Sequence, residues 1–438
     1  MKQTFLSFLM MLMPLMANAE TVEIDGIWYN IITKANVAEV TRNPSLDSNI
    51  ASYSGVVSIP AKITYNNVEY PVTKIGEKAF WYCRNVTSVT IPNSVITIGN
   101  SAFNNCTGLT SVNIPSSVTI IDNFAFDYCI SLTSIDIPNS VTTIGQDAFN
   151  GCKGLKTVTI PTSVTSISSS AFGFCESLTS VTIPSNVTSI GTYAFMKCKG
   201  LTSLSIPNSV TSIGSYAFSD CSSLTSIDIP NSVTTIQQGA FQGCTGLSTI
   251  AIGNAVKEIG NNAFAQCSDI KNVYCMVGEL SSSRYGGKGL YTYTNAFEGS
   301  YIEYATLHVP ESAINAYNST APWSGFKEIV TVSGNQPLKC ANPTISYNNG
   351  EITFSCDTEG VEFVSEVTAK DVNNHSESEI SISNSYLIKV YAKKDGYLNS
   401  DTVTKEIVGT VGKHGDLTGD GEVNNDDHVK LSNIIMNQ

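Results

Sequence analysis

Charged residues and histidine are both scarce in this chain. Of its 438 residues, only 14% are Asp, Glu, Lys or Arg and only four are histidine, whereas roughly a quarter of an average domain is charged. So few histidines disfavour a histidine-rich catalytic or zinc centre. The formal net charge of −13 excludes binding to nucleic acid or to an anionic membrane surface through the net electrostatic field.

Long apolar runs are missing beyond the N-terminus, so no membrane span is predicted after residue 19. The first nineteen residues have the pattern of a secretory signal peptide. Lys2 precedes a short apolar run over residues 5–16, and Ala17-Asn18-Ala19 is a small-x-small cleavage sequence. We predict cleavage after Ala19 and an exported mature chain. No cysteine directly follows that site, which disfavours a lipoprotein anchor.

The middle of the chain repeats every 23 residues. An Ala-Phe pair recurs nine times at this step, and a cysteine follows each phenylalanine after three residues. The phenylalanines are Phe80, Phe103, Phe126, Phe149, Phe172, Phe195, Phe218, Phe241 and Phe264, and the cysteines are Cys83, Cys106, Cys129, Cys152, Cys175, Cys198, Cys221, Cys244 and Cys267. A unit this short cannot bury its apolar residues alone, so successive coils are expected to stack around one continuous core.

Each unit contains an extended segment. Leu109, Val112 and Ile114 include the alternation of a strand, β-branched residues dominate the segment, and a proline follows. No stretch keeps a helical period over ten residues, so little helix is expected. We predict a β-rich solenoid of nine coils over residues 80–275, with a parallel sheet roughly 43 Å long at about 4.8 Å per strand.

This unit resembles a leucine-rich repeat. The pattern L-x-x-L-x-L-x-x-N/C-x-L maps onto Leu109, Val112, Ile114 and Ser117, and the full unit resembles the BspA-like class of bacterial leucine-rich repeat proteins. The resemblance implies a β-rich N-terminal cap over residues 20–79, and an irregular last repeat with a C-terminal cap over residues 276–332. It also implies a secreted or cell-surface protein of a bacterium. That class is associated with binding host matrix proteins and other cells, so a protein or glycan ligand is expected.

The cysteine column has two interpretations. Nine thiols in an oxidising compartment could form disulfides or bind soft metals, or each could be a small buried hydrophobic residue stacked on the next. Stacked Cβ atoms lie about 4.8 Å apart, whereas a disulfide needs about 3.8 Å, so we predict reduced, buried thiols. Replacing Cys175 by serine is expected to destabilise the fold by roughly 1–3 kcal/mol, because a buried hydroxyl would lack a certain partner.

The strand positions that alternate with the predicted core carry short hydroxyl side chains. This face has little charge and no titrating cluster. It is either a platform for a protein or glycan ligand or a solvated sheet face on which threonine is simply a good strand former. The candidate ligand-binding residues are Thr110, Ser111, Thr133, Ser134, Thr157, Thr159, Thr179 and Ser180.

The repeat is gone after Val330. Residues 340–409 show short runs of alternating apolar and polar residues around a hairpin turn at Asn348-Asn349-Gly350. The pattern predicts a small β-sandwich and resembles the immunoglobulin-like modules of secreted bacterial proteins. Cys340 and Cys356 flank the hairpin, and we predict a disulfide between them because export exposes them to an oxidising environment.

Residues 413–438 contain a calcium-loop pattern. Oxygen-bearing side chains are spaced as in such a loop, with Gly421 at its sharp turn and the backbone carbonyl of Glu422 facing the ion. The predicted calcium ligands are Asp416, Thr418, Asp420, Glu422, Asn424 and Asp427. Because the last position is Asp, the loop resembles a dockerin repeat, which implies a cohesin-like partner. Dockerins carry two such repeats, and this tail has one.

Catalytic motifs are not found, and no histidine lies between residues 80 and 270 to activate the many hydroxyls. Two functions are therefore considered. The first is a non-catalytic, exported binding or adhesion protein with a solenoid platform and a calcium-dependent docking tail. The alternative is a non-catalytic component of an extracellular polysaccharide-degrading assembly.

Overall fold

The computed structural model describes residues 19–46, 51–285 and 287–332, and seven strands further along the chain. Backbone contacts divide the chain into two units, residues 1–333 and 334–438. The predicted signal peptide before residue 19, the predicted disulfide between Cys340 and Cys356, and the predicted calcium loop at residues 416–427 all lie outside the described residues. Within the described ranges, no helix is both long and apolar enough to cross a membrane.

Six strands precede the repeats. They are β1 Ala19–Ile24, β2 Ile27–Ile32, β3 Val37–Thr41, β4 Gly55–Ser58, β5 Lys62–Tyr65 and β6 Val68–Ile75. The first three pair antiparallel, and β5 and β6 form a hairpin across Asn66-Asn67, both in the left-handed geometry that tight hairpin turns require. β6 then lies parallel between β3 and the first repeat. The cap thereby covers a sheet edge that would otherwise expose unpaired backbone groups.

Most repeats contribute two short strands, and equivalent strands of neighbouring coils pair in parallel. They are β7 Val86–Thr90, β8 Thr97–Ile98, β9 Ser111–Asn113, β10 Ile120–Ile121, β11 Thr143–Ile144, β12 Thr157–Thr159, β13 Ser166–Ile167, β14 Ser180–Thr182, β15 Ser189–Ile190, β16 Ser212–Ile213, β17 Ser226–Ile229, β18 Thr235–Ile236, β19 Thr249–Ile252, β20 Glu258–Ile259 and β21 Asn272–Cys275. Thr157 pairs with Ser180 and Ile190 with Ile213, so the sequence period is the sheet register. The predicted β-rich solenoid with little helix is confirmed.

A turn segment in each coil places a phenylalanine in the core. Ten buried rings, from Phe80 to Phe297, form one column with neighbouring centroids 4.8–5.6 Å apart and ring planes 2–16° from parallel. At the C-terminal end, Trp323 and Phe326 meet Phe297 edge-on at 63° and 80°. Edge-to-face packing is a favourable aromatic contact that cannot extend a parallel stack, so these two rings close the column.

The cysteine column lies beside the phenylalanines, and its members are buried and free, as predicted. Each thiol from Cys106 to Cys267 donates to the carbonyl oxygen of the phenylalanine one coil earlier, with S···O distances of 3.0–3.3 Å. Burial raises the pKa of the Cys175 thiol to about 12. At neutral pH this thiol is therefore a protonated donor and not a nucleophilic thiolate.

Ser300 occupies the cysteine position of the tenth coil. Its hydroxyl donates to the carbonyl of Phe264 at 2.5 Å and accepts the amide of Cys267 at 3.0 Å. A serine at this position therefore has a partner, and the expectation that a serine hydroxyl at Cys175 would lack one is wrong. The oxygen of Phe149, 3.3 Å from the Cys175 sulfur, is available to it.

The ninth coil carries ten extra residues and leads into the tenth coil and the cap. Ile252 pairs with Cys275 at the usual step, but Glu258 pairs with Tyr291, so the insertion lies between Cys275 and Tyr291. The remaining elements of this unit are β22 Tyr291–Thr292, β23 Thr306–Val309, helix α1 Ile314–Ser319 and β24 Glu328–Thr331. β23 and β24 continue the longer-stranded parallel sheet of the repeats.

The second unit contains only strands among its described residues. They are β25 Thr344–Asn348, β26 Glu351–Ser355, β27 Glu362–Val372, β28 His375–Ser376, β29 Glu379–Ile380, β30 Ser383–Lys393 and β31 Val403–Gly409. β25 pairs antiparallel with β26, which confirms the predicted hairpin. β27, β30 and β31 form an antiparallel sheet, and β28 pairs with β29. An immunoglobulin-like module remains a prediction.

The thiol–carbonyl contact predicts an order of stabilities at Cys175. We expect Cys175→Ser to stay within about 1 kcal/mol of the parent, because its hydroxyl can donate to Phe149, and Cys175→Ala to cost about 1–2 kcal/mol through a lost donor and a small void. Urea unfolding of the mature chain measures both. A serine variant less stable than the alanine variant would contradict this role for the thiol.

Candidate ligand-binding face

The eight hydroxyl residues predicted above, here called the hydroxyl face, lie at equivalent positions of consecutive coils, on or beside β9, β12 and β14 and the extended segment at Ser134. Ser134 pairs with Thr157, and Thr157 with Ser180, in parallel register. Residues equivalent to Thr133 and Thr159 form further rows on either side. Because every coil presents the same positions, the side chains form rows along the solenoid.

The hydroxyl face is accessible and has a defined hydrogen-bonding character. The exposed members are Thr110, Ser111, Thr133, Ser134 and Thr159, and the half-buried members are Thr157, Thr179 and Ser180. The hydroxyl of Thr110 donates to the carbonyl of Thr87 at 3.0 Å, and that of Thr179 to the carbonyl of Lys156 at 3.2 Å. Since these protons are engaged within the sheet, both side chains offer lone pairs to a ligand.

Lysines flank the hydroxyl face although the chain is acidic. Lys156 takes the repeat position of Thr133 in the next coil. At the adjoining edge, Glu176 lies 3.0 Å from both Lys153 and Lys199, and hydrogen bonds from these lysines lower the pKa of its carboxyl group. The fourth to sixth coils therefore carry local positive charge beside the hydroxyls.

Two residues at equivalent strand positions near the C-terminal end of the solenoid escaped the sequence prediction. Tyr274 and His308 lie in register and stack at 4.1 Å and 10°, and His308 Nε2 lies 3.1 Å from Asn272 Oδ1. Burial lowers the pKa of His308, with a smaller opposing effect from Glu328. Their signal was present in the sequence, because Leu307-His308-Val309-Pro310 repeats the strand pattern and places His308 at the Thr159 position.

An exposed valine lies on the edge strand β4, at the N-terminal end of the sheet formed by β4, β7 and β9. Val56, on β4, pairs with Ser88, which pairs with Ser111, and the valine side chain is 74% exposed. It therefore continues the Ser111 row with an apolar group at its N-terminal end. The repeat search did not find Val56, because the cap strand lacks the Ala-Phe and cysteine markers that define the coils.

A buried carboxylate lies on the turn segments, away from the hydroxyl face. Asp127 is 8% exposed and accepts hydrogen bonds from the side-chain amides of Asn104 and Asn150, both at 2.9 Å. Trp81 Nε1 donates in turn to Asn104 Oδ1 at 3.2 Å. Equivalent positions of four coils are thus joined by one chain of hydrogen bonds, which satisfies the carboxylate and serves packing.

A comparison with known protein families identifies the family to which the repeats belong. The family model described as BspA type leucine rich repeat region matches residues 73–202 and 188–317, which is more than half of the chain. This chain belongs to the BspA-type leucine-rich repeat family. The match runs from the end of the N-terminal cap, through all nine BspA-type coils, to the start of the C-terminal cap.

Solved structures of leucine-rich repeat proteins include similar chains. A leucine-rich cell-surface protein of Faecalibacterium prausnitzii is 27% identical, over 73% of this chain and 96% of its own, with a TM-score of 0.45. A leucine-rich repeat protein of Bacteroides ovatus is 26% identical, over 70% of this chain and 99% of its own, with a TM-score of 0.41. No curated protein matches the sequence.

The serine that replaces asparagine in these BspA-type repeats has an observed role. Ser117, Ser140 and Ser209 each donate to the carbonyl of a valine one coil earlier at 2.5–2.7 Å. Asn186, the one asparagine in the series, makes the equivalent bond to Val164 at 3.1 Å. In these coils a hydroxyl therefore joins neighbours at the position that carries asparagine in the general leucine-rich repeat, whereas the buried hydroxyls of Ser94 and Ser232 have no partner among the described residues.

The raised pKa of Asp127 predicts that the folded chain becomes less stable as the pH rises. Burial raises the pKa of Asp127 to about 6 from its ordinary 3.8, with a smaller contribution from Asp147. Between pH 3.8 and about pH 6, the folded chain therefore keeps the proton of Asp127, whereas the unfolded chain has released it. Its contribution is complete below the unfolded pKa and is lost as the pH rises through about 6, by about 1–2 kcal/mol after allowance for solvent screening.

Urea unfolding at pH 4.5 and 7.5 tests this contribution. Asp127→Asn should lose less stability between the two pH values than the parent chain does, because the titrating group is gone. Asp136→Asn, which removes an exposed aspartate from the sheet face, should follow the parent. An identical pH dependence in the parent and the Asp127 variant would disprove the assignment.

Proposed function

We propose that this protein is a non-catalytic, exported binding or adhesion protein whose BspA-type solenoid presents the hydroxyl face to a protein partner. The observation that carries the proposal is the set of exposed, aligned rows of short polar side chains. Such a surface is long, shallow and rigid, because each residue is held by the coil on either side. Protein partners suit it, since specific interfaces bury about 800 Å² on each side over an extended area.

The chemistry of the face favours recognition over catalysis. A serine or threonine nucleophile needs a base within hydrogen-bonding distance, and Thr110 and Thr179 donate to backbone carbonyls. His308, at an equivalent strand position near the C-terminal end of the solenoid, contacts Tyr274 and Asn272. Both the hydroxyl lone pairs and the flanking lysines suit non-covalent contacts with a polar partner surface.

Export and surface location belong to the same proposal. They are supported by the signal-peptide pattern of residues 1–19 and by membership of the BspA-type family. The solved relative from Faecalibacterium prausnitzii is described as a cell-surface protein. We infer that the mature chain is secreted or held at the surface of a bacterium.

The calcium-loop pattern favours a second function. If residues 413–438 bind calcium as a dockerin repeat does, a cohesin-like partner would attach the protein to a larger assembly. The chain would then be a non-catalytic component of an extracellular polysaccharide-degrading assembly. The two functions differ in the ligand of the solenoid, which is a matrix or cell-surface protein in the first and a glycan in the second.

Charges placed on the hydroxyl face should reduce binding. We expect the double variant Thr133→Glu, Thr159→Lys to lower binding of the mature chain to immobilised extracellular-matrix proteins at least tenfold, with stability unchanged within about 0.5 kcal/mol per site because both side chains are exposed. The matched control, Thr142→Glu with Thr165→Lys, places the same charges at exposed positions beside the second strand of each coil. Equal binding by both double variants would exclude the face.

The tail should bind one Ca²⁺ and fold on binding it. A dockerin-like repeat of one loop and one short helix would bury few apolar side chains, so metal binding and folding are expected to be coupled. Isothermal titration calorimetry of residues 413–438 should show binding that a chelator removes and that Asp416→Ala or Asp420→Ala abolishes. Asp426→Ala removes an acidic residue at a non-ligand position and should retain binding. An unchanged titration in the two ligand variants would remove the support for docking.

A further inference from the structure

A cleft of about 400 Å³ lies where the ninth coil meets the C-terminal cap. Its lining residues are Ser268, Asp269, Ile270, Lys271, Tyr301 and Tyr304. Lys271 takes the repeat position of Lys156, and its carbonyl accepts the amide of Thr306 at 2.9 Å. The cleft therefore lies beside the equivalent strands at the C-terminal end of the repeats, in a different sheet from the hydroxyl face, and shares none of the eight hydroxyl residues.

A one-residue insertion in the tenth coil forms one wall of the cleft. Asn272 follows Cys267 by five residues, whereas its partner Thr306 follows Ser300 by six. The extra residue is accommodated in a 3₁₀ turn over Ile302–Tyr304. Tyr301, the residue before this turn, and Tyr304, its last residue, both line the cleft.

The backbone of Tyr301 is specific to this coil. It has a φ of 51°, in the left-handed region that is unfavourable for a tyrosine. In the nine coils before it, positive φ values occur two residues before and two residues after the phenylalanine, and none occurs at the residue after the cysteine. The fold therefore does not require left-handed geometry at this repeat position, and its presence sets the direction of the Tyr301 side chain.

Core packing does not account for the two tyrosine rings. Tyr301 is 56% exposed and Tyr304 is 75% exposed. In the same cap, Tyr317 is fully buried and donates its hydroxyl to the carbonyl of Val277 at 2.9 Å. The cap thus contains one tyrosine that stabilises it and two that leave their apolar rings in solvent beside a cleft.

The two charged side chains at the rim of the cleft have opposite charges. Lys271 Nζ lies 3.8 Å from Asp269 Oδ1, and both side chains are more than half exposed. The pair is neutral overall, which favours an uncharged ligand. The carboxylate accepts hydrogen bonds, the ammonium group donates them, and the hydroxyl of Ser268 does either.

We propose that this cleft binds a neutral saccharide of one or two hexose units. A pyranose ring has an apolar C–H face that packs on an aromatic ring, whose π face is electron-rich, and its hydroxyl groups project sideways to meet rim donors and acceptors. The volume lies in the lower part of the range of small-molecule sites, roughly 300–1,000 Å³. Tyr301 and Tyr304 provide the aromatic surface, and Asp269 and Lys271 hydrogen-bond the sugar hydroxyls.

Saturation-transfer difference NMR of the mature chain tests the proposal. The probes are glucose, galactose, N-acetylglucosamine, cellobiose and N-acetyllactosamine at millimolar concentration. At least one should receive saturation at its ring C–H protons, and the effect should fall at least fivefold in Tyr301→Ala and in Tyr304→Ala. Tyr304→Phe keeps the ring and should retain it. The absence of saturation transfer to every probe in the parent chain would overturn the proposal.

Matched variants separate this site from loss of fold and from the hydroxyl face. Tyr285→Ala removes a tyrosine that is 80% exposed and does not line the cleft, so it should leave saccharide binding unchanged. Lys271→Ala changes the rim alone and should weaken binding without lowering the unfolding temperature. The Thr133→Glu, Thr159→Lys variant should bind saccharide as the parent does. Equal saccharide signals in the parent, Tyr301→Ala and Tyr304→Ala would place the sugar elsewhere and overturn the assignment.

Discussion

The structure depends on the contact between each coil and the equivalent residues of the neighbouring coil. Ten phenylalanine rings meet at 4.8–5.6 Å, close to the spacing of strands in a sheet, roughly 4.8 Å. Backbone hydrogen bonds run to both neighbouring coils. The amide of Phe149 donates to the carbonyl of Ala171 in the next coil, and the amide of Thr179 donates to the carbonyl of Lys156 in the preceding coil. A single 23-residue unit has no hydrophobic core of its own, so stability is a property of neighbouring pairs.

Stacking restricts which polar groups the core accepts. A buried donor is stabilised by an acceptor in an adjacent coil, because an unpaired polar group in the core is costly. The thiols of the cysteine column meet this condition through the phenylalanine carbonyls, and Ser300 meets it with a hydroxyl in the last coil. Cysteine combines a small apolar volume with a weak donor, which suits a position that is both buried and beside a carbonyl.

Because core positions must stack, the coils differ from one another mainly at surface positions. Positions that point outward are free of the stacking requirement, and they carry the hydroxyl face, the lysines near Glu176 and the aromatic pair of Tyr274 and His308. Aligned rows repeat one chemical group many times, which suits recognition of an extended partner. The ends differ, because the cap strands and the insertion in the tenth coil break the period. Features without a copy in the next coil, such as Val56 and Tyr301, are found there.

Much of this architecture could be predicted from the sequence. The step of 23 residues in the Ala-Phe pairs is the register of the parallel sheets, and the burial of the cysteines followed from their equal spacing. The hydroxyl face followed from the alternation of strand residues. These inferences succeeded because a solenoid makes contacts between residues at one constant separation, so a one-dimensional period contains most of the three-dimensional pairing.

Other features required the tertiary structure. The donor role of the thiols depends on the direction of a carbonyl one coil away, and the raised pKa of Asp127 depends on its burial. The cleft beside Tyr301 arises where one extra residue changes the path of the chain relative to its neighbour. A period states which residues are equivalent, and so the sequence by itself determined the stack. Direction, burial and departures from equivalence depend on atomic positions in adjacent coils, and only the tertiary structure decided them.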